Sequence, residues 1–243
     1  MSVVAAKGLA AARTVLDNGV VVISKEARTV PAVTFQISAL GGSIYEPNDL
    51  LGLSYLTSRV LDRGTASRSS EEIAEALDAR GVAVSMAANR HAVTASCTCL
   101  SEDFETLFDL LGDIVMAPAF PQQEVDTRKG EVLSLIRQEE DNPAATAMRH
   151  LFALLYPNQH PYGRPARGTL ETVGRIGRDD LVQFHEARFA PRRPRSSSWA
   201  TWSISAPMPW PSVCWAAGGG HAQTTSCCRH SPANRRGRSV SSR

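Results

Sequence analysis

Two histidines four residues apart on a helix, with a glutamate between them, can hold a zinc ion and activate a bound water, because that spacing puts both imidazoles on one face. Each histidine stretch of this chain falls short of that pattern. His185-Glu186 opens like such a helix, but the second imidazole would stand at position 189, which is Phe189. His160-Pro161-Tyr162-Gly163 reads as a loop-ordering element, and His91 and His150 stand alone on an expected strand and an expected helix. Cys97-x-Cys99 offers two thiols, yet they alternate with Thr94, Ser96 and Thr98 and share a face with Val93 and Ala95. That alternation has the period of a strand, so both thiols are expected in the core of a protein from a reducing compartment. The tail holds Cys214, Cys227, Cys228 and a Cys-Cys-x-His string, none at a zinc-site spacing. No phosphate-binding loop of the Walker or dinucleotide type is present. What remains is "GLSYLTSRVLDRGT", residues 52–65, in which Leu53, Leu56, Val60 and Leu61 recur at helical spacing around Tyr55, Ser58 and Arg59.

The rest of the chain must position that helix. Its 243 residues suffice for one substantial core or two small ones, and 43% hydrophobic with 21% charged residues is an ordinary globular balance. No run reaches the roughly 18 apolar residues of a membrane span. The N-terminus lacks the compact apolar segment of a secretory signal, so a cytoplasmic protein is expected. Residues 1–13 are read as a flexible N-terminus, although the absence of acids before Asp17 also suits a short organelle-targeting segment. The net charge of +2 hides a split: every Asp and Glu lies at or before Glu186, whereas residues 191–243 hold eight Arg and no acid. The body is therefore acidic, with 18 basic against 24 acidic residues. The basic tail lacks any recognisable nucleic-acid-binding fold, and no nucleic-acid partner is expected.

Strand and helix signals run through residues 14–191. Asn18-Gly19 signals a turn into the β-branched run that follows, and "AVTFQISALGG" is a second strand candidate. After the Gly52 helix, Ser69 and Glu72 form a capping box for a helix closed by Gly81. Two strands follow, "VAVSMAA" and "HAVTASCTCL", and then a helix capped by Ser101 with an apolar stripe of Phe104, Leu107, Leu110, Leu111 and Val115. A long helix is expected over 122–140, a break at Asn142-Pro143, a continuation through "TAMRHLFALLYP", and a last helix in "RDDLVQFHEARF". The expected fold is α+β, a mainly antiparallel sheet with helices packed on one face.

Several ordered landmarks now coincide: "LDNG" before the first strand, "GGSIYEP" before the key helix, "GLSYL…DRGT" on it, "EEDNP" after the long helix, and "HPYGRPARGTLETVGRIGRDDLVQFHEARFAP". Together they resemble the N-terminal domain of the insulinase and pitrilysin family of zinc metallopeptidases, which includes the mitochondrial processing peptidase subunits. The resemblance covers residues 14–191 and implies that the helix from Gly52 would carry His-x-x-Glu-His, the inverted zinc motif. Here the ligand positions are Tyr55 and Arg59 and the base position is Ser58. A neutral phenol is a poor ligand, a guanidinium has no lone pair to offer and repels a dication, and a serine is too weak a base to activate water. The resemblance places the third ligand, a glutamate, on the long helix, where this chain has Ser134 and Leu135. No cofactor is expected, in contrast to the zinc of active family members. The implied role is a non-catalytic partner subunit that closes a chamber against a catalytic homologue and helps hold an extended peptide. The alternatives are a non-functional truncated gene product and a metallopeptidase with an unusual site.

The tail has a composition of its own. Residues 192–243 hold all four Trp (199, 202, 210, 215) and no Lys. Where the family has an apolar final strand resembling "VVVVGDV", this chain has "PRRPRSSSWATWSISA". GC-rich codons for residues 196–206, regrouped one base earlier, spell Val-Val-Val-Val-Gly-Asp-Val. A frameshift between Pro191 and Ser196 is the expectation that follows. On it the final strand is missing, a sheet edge is unpaired and residues 196–243 are disordered.

Overall fold

The computed structural model describes residues 11–16, 20–25, 30–158, 160–189 and 199–203. All of them lie in one compact unit, Met1–Pro207. In chain order the unit contains β1 (Ala11–Val15), β2 (Val21–Lys25), β3 (Ala32–Ala39), α1 (Leu53–Val60), α2 (Ser70–Asp78), β4 (Val84–Ala88) and β5 (Val93–Leu100). Then come α3 (Phe104–Met116), α4 (Gln122–Glu140), α5 (Pro143–Leu155), α6 (Leu170–Arg175), α7 (Arg178–Phe189) and β6 (Trp199–Ser203). The strands form one sheet in the order β1-β2-β6-β3-β5-β4. Every neighbouring pair is antiparallel except β2 with β6, so the fold is the expected α+β class.

Alternation makes the core. Val33, Phe35, Ile37 and Ala39 on β3 and Val93, Ala95, Cys97 and Cys99 on β5 are all buried, because side chains two apart share a face. Helices cover that face. Phe104 and Phe108 of α3 meet Phe35 edge-on at 5.4 and 5.9 Å, a geometry in which ring edges face the electron-rich ring plane. The opposite face is polar, and Thr34 there hydrogen-bonds Thr98 across the strands at 2.9 Å.

Local chemistry sets most boundaries. Ser69 and Glu72 form the capping box at the start of α2, and Gly81 beyond its end takes a left-handed φ of +61°. Asn142 ends the long helix and caps α5 by accepting from Ala144 N and Ala145 N, with Pro143 at the first helical position. Ser101, by contrast, does not cap α3. Its hydroxyl and its backbone N–H both donate to the Pro31 carbonyl, extending the edge of the β3–β5 pair, and α3 starts at Phe104 without a side-chain cap.

Two expectations are corrected at the ends of the sheet. β1 starts at Ala11, inside the stretch read as flexible up to residue 13, and pairs with β2 from Ala11 opposite Lys25 to Val15 opposite Val21. The Asn18-Gly19 turn lies outside the described residues. The final strand is not missing: Trp199–Ser203 runs parallel to β2, with Trp199 opposite Val21, and antiparallel to β3, with Ser203 opposite Thr34. A ladder is built from backbone groups, and Trp and Thr suit a pleated strand, so this segment can fill the slot whatever reading frame encoded it. The disorder expected from residue 196 therefore fails for 199–203, and no edge is left unpaired between β2 and β3. The other tail residues, with their Cys and remaining Trp, lie outside the described ones.

Candidate functional site: the ion-paired face of helix α1

Helix α1 is held at its start by a residue outside it. Gly52 precedes it with φ +95° and offers no side chain, so the orphan N–H groups need another acceptor. Glu46 supplies one: Oε2 accepts from Gly52 N at 2.8 Å, and Oε1 accepts from Ser54 N at 2.7 Å and from Ser54 Oγ. A carboxylate here also opposes the positive end of the helix dipole. Glu46 is buried, and burial pushes its pKa up. The donors Ser54 and Gly52 and the nearby Arg164 charge act in the other direction without cancelling that rise.

Leu53, Leu56, Val60 and Leu61 turn into the core, and Ser54, Thr57 and Ser58 are buried beside them. Tyr55 and Arg59, four residues apart, occupy the face left over and look toward α4 and the loop before α6. The Arg167 guanidinium stacks over the Tyr55 ring at 5.3 Å and forms an ion pair with Glu139 of α4. Arg59 Nη2 lies 3.5 Å from Glu131 Oε2, and the same carboxylate accepts from Arg128 Nη1 at 2.6 Å. Hydrogen bonding to Arg128 first, and then the Arg59 pair, lowers the Glu131 pKa. Ser58, at the base position, donates its hydroxyl to the Tyr55 carbonyl at 2.7 Å, which occupies it within its own helix.

The third-ligand region gives nothing to a metal either. Ser134 is exposed and donates to the Gly130 carbonyl at 3.0 Å, and Leu135 is half-buried. Both lie on α4 between the two acids, Glu131 and Glu139, that pair with arginines. The donor set does not fit zinc: one phenol lies under a cation, one guanidinium is spent on a carboxylate, and a hydroxyl is bonded to backbone. Among the described residues no three His, Cys, Asp or Glu side chains are grouped to hold a metal ion.

The other candidates have structural employment. Cys97 and Cys99 are buried, and burial raises both thiols, Cys97 to about 11, so neither is a ready thiolate. His185 donates from Nε2 to the Val115 carbonyl at 2.8 Å and stacks on Phe189 at 4.7 Å, and burial pushes its pKa down. His160 Nδ1 accepts from Tyr162 N at 3.2 Å and orders its loop as expected. His91 is bonded to the Tyr162 hydroxyl at 2.8 Å, and His150 lies exposed on α5.

Beside Tyr55 opens a cleft of about 400 Å³ between the end of β4, helices α4 and α5, and the loop 163–168. Among the described residues, Arg90, Arg149, Arg164 and Arg167 line it with a single acid, Glu139. The pairing partners Glu131, Glu139 and Arg167 are the site residues that sequence reading did not single out. Glu131 and Glu139 are partly exposed acids on a largely polar helix, so nothing in the sequence marks them, and they become legible only with α1 and the loop before α6 beside α4.

Residues 21–169 match the family model described as Insulinase (Peptidase family M16). The chain is 28% identical over 189 residues to an uncharacterized zinc protease of Mycobacterium leprae, covering 78% of this chain and 42% of that protein. A Bacillus subtilis uncharacterized zinc protease, YmxG, is 28% identical over 181 residues, 74% of this chain and 44% of that one. The chain thus spans less than half the length of the curated relatives it matches. Among solved structures, a peptidase M16 inactive domain from Pseudomonas fluorescens shares the fold with a TM-score of 0.74 at 24% identity, over 80% of this chain and 46% of that chain. A protease from Helicobacter pylori does so with a TM-score of 0.72 at 15% identity, over 81% and 46%. The family model spans α1 and all of α4, so on sequence and fold together the chain belongs to the insulinase family, peptidase family M16.

Proposed function

We propose that this chain is a non-catalytic family member that acts as the partner subunit of a catalytic homologue and helps hold an extended peptide. The observation that carries the reading is the Arg59–Glu131 pair: the position where the motif has its second imidazole is committed to a carboxylate of α4. The Pseudomonas fluorescens structure described as an inactive domain supports the same reading by analogy of fold. Metal analysis of the dialysed protein, with an assay on an unstructured peptide, tests it. The expected result is neither stoichiometric zinc nor hydrolysis; about one zinc per chain would overturn it and favour a peptidase with an unusual site. Tyr55→His combined with Arg59→His should still give little hydrolysis, because Ser58 cannot act as base and the α4 position supplies no third ligand.

A partner needs a surface, and α5 offers one. Met148, Leu151, Leu154 and Leu155 are 50%, 46%, 80% and 61% exposed, and no residue of the helix is buried. Their spacing of three and four residues makes one apolar stripe. Leu151→Glu with Leu155→Glu is expected to weaken association with a catalytic homologue, or self-association in its absence, by about 100-fold in Kd. Analytical ultracentrifugation measures it. A parent that is strictly monomeric and indifferent to the homologue, with no binding of a hydrophobic dye, would leave the partner role without support.

A further inference from the structure

The arginines beside Tyr55 are more numerous than their acids. Arg167 is matched by Glu139, and Arg164 lies near buried Glu46, donating to its carbonyl at 3.4 Å. Arg90 is held differently. Its guanidinium sits over the rings of Phe152 at 5.1 Å and Tyr162 at 5.4 Å, and its Nη1 is buried without a hydrogen-bond partner. Stacking on two rings fixes a cation's place without neutralising it, and the guanidinium fork is the donor geometry that suits a carboxylate. Arg149 on α5 is exposed at the same cleft. The result is a cleft of about 400 Å³ whose wall carries positive charge in excess, on a body that is otherwise acidic.

From this we infer that the cleft selects acidic peptide segments, with Asp or Glu side chains of an extended peptide seated against Arg90 and Arg149. This rests on the peptide-holding role proposed above and gives it a substrate class. The Arg167–Glu139 pair and Tyr55 make one wall of that cleft, so this wall serves as part of the binding surface.

The test uses the full chain and an acetylated, amidated, unstructured peptide of Glu, Gly and Ser, beside its counterpart with Gln in place of Glu. The acidic peptide is expected to bind about tenfold more tightly than the Gln peptide at low salt, with the difference shrinking as ionic strength rises. Arg90→Gln should abolish the preference. Arg149→Glu, an exposed change that leaves the packing of α5 intact, should weaken binding of the acidic peptide more than binding of the Gln peptide and so shrink the preference. Equal binding of the two peptides, or an unaltered preference in Arg149→Glu, overturns the acidic selectivity and leaves the peptide-holding role standing. Binding of neither peptide removes both.

Discussion

Gly168→Ala is expected to destabilise the fold by about 3 to 5 kcal/mol. Gly168 has φ +79°, and a Cβ built on it would lie 2.1 Å from the Leu51 carbonyl oxygen, 2.7 Å from its carbon and 2.9 Å from Val173 Cγ2. Two of those atoms are backbone, so no side-chain rotation relieves the clash. The same juncture is tied from the other side. Gly52, with φ +95°, would meet the Arg167 carbonyl oxygen at 2.5 Å, and Thr172 Oγ1 donates to the Leu51 carbonyl at 2.8 Å. The start of α1 and the start of α6 are thus pressed backbone to backbone, which only glycine allows. Chemical denaturation measures the loss, with Gly130→Ala as control. Gly130 lies inside α4 with nothing within 4 Å of its built Cβ, so that change should stabilise by about 0.5 to 1 kcal/mol. A Gly168→Ala protein as stable as the parent would show that the juncture can open at no cost.

Glu46→Ala comes next in size, at about 2 to 4 kcal/mol, because it strands Gly52 N, Ser54 N and the Ser54 hydroxyl, all buried donors with this one acceptor. Its pH dependence has a definite sign. Burial raises the folded-state pKa above the ordinary 4.5, so the folded protein holds this proton more tightly than the unfolded chain does. The contribution of Glu46 is then full below about pH 4.5 and is lost as pH rises through the raised value. The stability difference between parent and Glu46→Ala should accordingly be larger at about pH 4 than at about pH 7. Denaturation at both values decides it, and a difference that grows toward neutral pH would mean that the three donors outweigh burial.

What the sequence made legible and what it hid divide along one line. Features written in consecutive residues came through: the period of two on β5 that buries Cys97 and Cys99, the Ser69–Glu72 box, and the helix break at Asn142-Pro143. Residue type alone shows that Tyr55, Ser58 and Arg59 offer neither an imidazole nor a carboxylate. Features made by distant segments did not. Glu131 meets Arg59 across 72 residues, and Arg90 finds its rings on α5 and in the loop after it. Ser101 had the right type for a cap, but the Pro31 carbonyl, 70 residues away, competed for its hydroxyl. The segment Trp199–Ser203 carried a misleading composition, since its neighbours lack the alternation of a buried strand while its backbone still completes a ladder.

The position of β6 also dictates when the sheet can exist. β2 and β3 are consecutive in the chain but are not paired with each other; β6 lies between them, parallel to one and antiparallel to the other. A nascent chain can therefore form the β1–β2 hairpin early, and β3 with β5 and β4 once Leu100 has left the ribosome, but these two pieces share no ladder. They join only when Trp199–Ser203 emerges and inserts. Closure across so long a stretch of chain raises the contact order, and this joining is expected to come late in folding. Until then the facing edges of β2 and β3 are open to any passing strand, and a chaperone has most to protect during that interval of synthesis.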